Sequence, residues 1–166
     1  IAAFGLFTVG GTWVTGVMPA VSATTSLSFK EVPHRHEMGV RVADGYNADV
    51  LIRWGDKVIP TAPDFNVNEQ TAEAQAQQFG NNNDFLAFMP LPLGSRNSDR
   101  GLLCVNHEFT VPSLVFPNYR REMTASERLP LIETEMAAHG HSIIEIAKVR
   151  GKWQVMQESS YNRRIT

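Results

Sequence analysis

With a single cysteine, Cys104, in 166 residues, the chain can form no intrachain disulfide, which excludes the small extracellular folds held by bridges rather than by a core. No Lys, Arg, Asp or Glu occurs before Lys30. Elsewhere 15 basic and 17 acidic side chains give a formal net charge of -2, with no long basic run. Nucleic-acid phosphates are neutralised by clustered Lys and Arg, so this balance excludes a nucleic-acid footprint and leaves small molecules or proteins as partners. The chain also lacks a Walker-type glycine loop, EF-hand spacing, a Gly-x-Ser-x-Gly elbow, heptads and internal repeats. Those absences argue against P-loop, calmodulin-like, α/β-hydrolase, coiled-coil and solenoid readings. What remains is 43% hydrophobic and 19% charged, an ordinary globular composition with the length of one domain or part of a larger one.

Ile1–Val17 is apolar and small, with Phe4, Leu6, Phe7, Trp13 and Val14 set among Gly and Thr, and it runs into MPAVSATTS. Ala20, Ser22 and Ala23 supply the small residues that a leader peptidase accepts, so residues 1–23 read as the remnant of an export signal. A membrane anchor is the rival reading. Interruption by Gly, Thr and Pro19, and a length short for a spanning helix, count against it. No positive segment precedes the apolar core and the chain begins at Ile1, so the reading expects more sequence in front.

The remainder, 24–166, is predicted to be mainly β with two short helical insertions. SLSFKEV (26–32) alternates loosely, as a short strand does, and residues 34–49 read as loop. DVLIRWGD (49–56) is a β-branched and aromatic run closed by Gly55, a predicted strand, after which Pro60 and Pro63 forbid regular structure. A helix capped by Asn68 is expected to reach Phe79. Phe85–Leu91 and residues 101–108 are predicted as a hairpin-like pair of strands. Thr124 with Glu127 fits a capping box, and LIETEMAAHG is a helix ending at Gly140, with Pro130 as a kink or the true start. SIIEIAKVRGKWQVMQ is predicted to fold as a hairpin about Arg150–Gly151. The stop after SSYNRRIT suggests more sequence behind.

The strand through Leu102 and Val105 ends on Asn106, His107 and Glu108. Alternation places Asn106 and Glu108 together and turns His107 the other way. Amide and carboxylate oxygens suit calcium, and a carboxylate also suits ferric iron. Read from the residues alone, the pair suits a strand end that only faces water somewhat better than a cation site. Cys104, within an apolar run, reads as a small buried hydrophobe. The pairs His34/His36 and His139/His141 lack a third ligand for zinc, and GNNND and DGYNAD are explained by turn chemistry. Arg163 and Arg164 could hold a phosphate with their guanidinium forks, although neighbours in a strand point opposite ways and at most one would face such a site.

Four stretches together, GYNADVLIRWGD (45–56), FGNNNDF (79–85), LLCVNHEFT (102–110) and YNRRIT (161–166), resemble the N-terminal part of the secreted PhoX-type alkaline phosphatases. The resemblance implies a partial β-propeller and hydrolysis of phosphate monoesters and some diesters with calcium and iron. It also implies export in the folded state by the twin-arginine machinery to the periplasm or medium, as a monomer. The family's Asn-Cys-Ala-Gly-Gly and Glu-Glu-Asn motifs fall downstream of YNRRIT, beyond this chain, so the fragment alone is expected to be inactive and to hold no metal stably. Cys104 does not match the family's metal-binding cysteine. Glu108 matches the Asn-His-Glu motif and is the first metal-site residue carried over, with Asn106 second. Two other readings stand beside this one: a noncatalytic extracytoplasmic propeller module that binds a partner, and a segment that is scaffold only.

Overall fold

In the computed structural model the described residues are Phe7–Val9, Thr12–Val14 and 29–166. They fall in two units, Ile1–Ala48 and Asp49–Thr166. Within the first, β1 (Phe7–Val9) pairs antiparallel with β2 (Thr12–Val14), and Phe29 meets Tyr46 edge to face at 5.6 Å. The export-signal reading of 1–23 otherwise lies outside the described residues. So does the start of the expected strand at 26–32, and its described part, from Phe29 on, makes no strand pairing.

The second unit is built on one antiparallel sheet of β3 (Asn83–Pro90), β4 (Arg100–His107), β5 (Gly140–Val149), β6 (Lys152–Val155) and β7 (Arg163–Ile165). The order is β3-β4-β5-β6, and β7 also pairs with β5. Strand β5 is long enough to hold both neighbours on one edge, β6 along Ile146–Val149 and β7 along His141–Ile143. Both predicted hairpins form. At the β5–β6 turn Arg150 and Gly151 take φ of 51° and 82°, the double left-handed step that matches strand twist in a two-residue hairpin. The sheet is open, with β3 and β6 at the ends of the strand order.

Val58, Phe79, Val105, Ile144 and Ile146 are buried together, with Leu51, Ile52, Leu103 and Val155 packed around them. DVLIRWGD thus contributes to the core, but not as a strand: Leu51 and Ile52 enter it from irregular backbone. The chain turns at Trp54–Gly55, where Gly55 has φ +87° and a Cβ would lie 2.3 Å from the Phe65 ring. The Gly55 N–H then donates to Phe79 O and the Phe79 N–H to Asp56 O. That pairing also explains why the helix expected from Asn68 to Phe79 shrinks to α1 (Ala72–Gln75), capped by Thr71. The Gln77 carbonyl is taken by Val58 N–H and Phe79 by Asp56, so the backbone is committed to a bridge and cannot extend the helix.

Two further helices precede β5. A short α2 (Pro112–Val115), absent from the sequence expectation, begins on a proline whose missing N–H costs nothing at that position. Helix α3 (Ala125–Ala138) carries the expected capping box, with Thr124 and Glu127 bonded reciprocally. It runs through Pro130 rather than starting there, and at 14 residues it is no short insertion. Gly140, at φ +102°, ends it in the left-handed step that glycine tolerates.

Candidate functional site

Cross-strand register decides which side chains share a face. Three rows cross β4, β5 and β7: Cys104–Ile143–Arg163, Val105–Ser142–Arg164 and Asn106–His141–Ile165. Paired residues lie on the same face and neighbours along a strand alternate. One face therefore carries Val105, His107, Ser142 and Arg164, and the other Cys104, Asn106, His141 and Arg163. The first is buried against Phe79, whose ring meets His107 edge on at 4.7 Å. On the second, Asn106, Arg163 and, just past the strand, Glu108 are exposed.

The buried face explains half of each motif. His107 Nε2 and Ser142 Oγ are 2.7 Å apart, and Gly80 leaves room for the ring, since a Cβ there would lie 2.5 Å from His107 Cγ. Burial pushes the His107 imidazole down to about 4; the Arg164 and His141 charges act the same way and the Asn81 backbone opposes them. It is a neutral packing group. Arg164 donates through Nη2 to the carbonyls of Ala137 (2.7 Å) and His139 (2.9 Å), closing the C-terminus of α3, whose last carbonyls have no helical partner. Burial lowers Arg164 to about 10, so it stays charged at neutral pH. Of the two arginines considered for phosphate, Arg164 is thus occupied with the helix and Arg163 projects from the open face.

On that face Asn106 Oδ1 lies 2.7 Å from His141 Nδ1. Cys104 is half-buried, 3.9 Å from Met89 Sδ, and burial raises its thiol against the lowering effect of Arg163, in keeping with a packing role. Further along, Arg100 Nε donates to Glu145 at 2.6 Å, and Ser159 donates to the same carboxylate. Asn162 Oδ1 accepts from the Glu145 N–H at 2.8 Å, tying the start of the Asn-Arg-Arg stretch to β5. Burial would raise the Glu145 carboxyl, but the bonds from Ser159 and Arg100 hold it below its ordinary range. Sequence reasoning missed both His141 as a partner of Asn106 and Glu145 as an anchor. The first partners are 35 residues apart and the second, through Arg100, 45, so no local spacing signals them.

Asn106 and Glu108 offer two oxygen donors of the kind a hard cation takes, which fits part of a coordination shell. Among the described residues no group of three or more His, Cys, Asp or Glu is gathered to hold a metal ion. His34 and His36 meet edge to face at 5.8 Å without a third ligand.

The model of the family described as alkaline phosphatase PhoX matches residues 27–166. Among solved structures, Pseudomonas fluorescens PhoX in complex with vanadate, a transition state analogue, is similar with a TM-score of 0.72 and 32% identity over 84% of this chain. The chain spans 23% of that protein's chain. No curated protein matches.

Proposed function

The chain belongs to the PhoX alkaline phosphatase family, and from that membership we propose that it is one part of an exported phosphatase acting on phosphate monoesters and some diesters. The observation that carries this reading is the 32% identity, with common fold, to a PhoX in complex with vanadate, a transition state analogue. In this reading residues 24–166 are the first blades of a propeller. The antiparallel β3-β4-β5-β6 path supports it, because blades are four-stranded antiparallel sheets, with β7 added as a fifth strand beside β6 on β5. Residues 1–23 are the remnant of its export signal. The polypeptide leaves by the twin-arginine machinery and works as a monomer in the periplasm or medium, while this segment alone is inactive.

Glu108 and Asn106 would hold calcium or iron together with side chains contributed from elsewhere in the polypeptide. Bound cations supply Lewis-acid neutralisation of the phosphate oxygens. Arg163, on the face shared with Asn106, would orient the ester through its guanidinium. Arg164 and His107 act beneath them as scaffold.

The test uses the complete polypeptide. Glu108→Ala is expected to lower both turnover of a chromogenic phosphate ester and bound metal by about ten-fold or more, the usual scale for disturbing a metal site, and Arg163→Ala to raise KM. Parental activity and metal content in both variants would remove this face from the active site. A protein that purifies without stoichiometric metal and leaves the ester intact would instead be a noncatalytic binding module.

A further inference from the structure

We infer that His141 is a positioning residue: it fixes the Asn106 amide so that its oxygen is presented to a cation. The inference rests on the reading of Asn106 and Glu108 as metal-site residues. It starts from the β4–β5 ladder, where Asn106 and His141 are directly paired and Oδ1 and Nδ1 stand 2.7 Å apart. An amide oxygen only accepts, so the ring must carry its proton on Nδ1 and donate. Asn106 is exposed at the end of a strand, and among the described residues its side chain has no other hydrogen bond. Left alone, such an amide samples several rotamers and presents nitrogen as readily as oxygen.

His141 removes that freedom. It is half-buried and belongs to the strand flanked by both β4 and β7, so its backbone is held on two sides. Donation from Nδ1 selects the oxygen and occupies one lone pair, leaving the other for a cation. A hydrogen bond that orients a ligand in this way is commonly worth ten- to hundred-fold in metal affinity. Neither His139, bonded through Nδ1 to Glu135 O at 2.6 Å, nor the buried His107 could replace it.

The experiment measures calcium retained by the complete polypeptide in competition with a chromophoric chelator, with circular dichroism as the check of fold. His141→Phe, which keeps the ring bulk and loses the donor, is expected to weaken calcium retention about ten-fold. His141→Gln, which keeps a donor, should restore much of it and serves if the Phe variant misfolds. Asn106→Ala should lose as much as His141→Phe, and the double variant should lose no more than Asn106→Ala alone. Losses that add in the double variant, or a loss in Asn106→Ala with none in His141→Phe, overturn the role of His141 while the metal-site reading stands. Unchanged calcium and unchanged iron content in Asn106→Ala and Glu108→Ala overturn both.

Discussion

Replacing Glu145 by alanine is expected to destabilise the second unit by about 1.5–4 kcal/mol at neutral pH, counting one charge-assisted hydrogen bond and one ion pair to an exposed arginine. Glu145 is 3% exposed and accepts from Ser159 and Arg100. A hydrogen bond to a charged group contributes about 1.5–3 kcal/mol, and the Ser159 bond belongs there. The Arg100 side chain is 58% exposed, so its ion pair is discounted to roughly 0–1 kcal/mol for solvent screening. Arg100→Ala should therefore cost less than Glu145→Ala, and a double-mutant cycle with Ser159→Ala should assign most of the loss to the serine.

The pH dependence has a definite sign. Ser159 and Arg100 hold the folded carboxyl below its ordinary value, despite burial. The stabilisation is then complete above the unfolded pKa and is lost as pH falls through the lower folded one. The gap between parent and Glu145→Ala must narrow on acidification. Urea unfolding of the complete polypeptide over a pH series measures this, with hydrogen exchange of 156–162 reporting whether the turn into β7 loosens. A loss under about 0.5 kcal/mol, within the range of an ordinary surface substitution, would refute the assignment. So would a gap that widens in acid.

Two substitutions test the backbone. Gly140→Ala forces a side chain into φ +102° and brings its Cβ to 2.0 Å from Ile165 O, so it should lower the melting temperature by several degrees and loosen β7 first, seen as faster amide exchange of Arg163–Ile165. Arg150→Asn should raise it, because the β5–β6 turn needs positive φ at this residue and Asn accepts it more readily; a stabilisation of up to about 1 kcal/mol is expected, read from thermal unfolding.

Several features of the fold were legible because their causes lie within a few residues. Thr124 and Glu127 start α3 by each accepting the other's backbone N–H, and Gly140 ends it. Arg150–Gly151 turns β5 into β6, and the apolar runs of β3 and β4 pair as expected. The exposed–buried–exposed order of Asn106, His107 and Glu108 follows from strand alternation alone. By the same rule only one of Arg163 and Arg164 could face a phosphate.

Which arginine is taken up by the end of α3 and which is left on the open face, and which side chain Asn106 meets, were decided by tertiary structure. Arg164 meets the end of α3 and His141 comes opposite Asn106 because β4, β5 and β7 take one register, a choice made by contacts across tens of residues. Long-range pairing also overruled local preference. DVLIRWGD has a strand's composition and residues 68–79 a helix's, yet the backbone of 55–58 is bonded to 77–79, leaving the first irregular and the second a single turn. Propensity biases each peptide group by tenths of a kcal/mol, whereas a buried N–H or carbonyl left without a partner costs more than that, so the pairing that satisfies the core prevails.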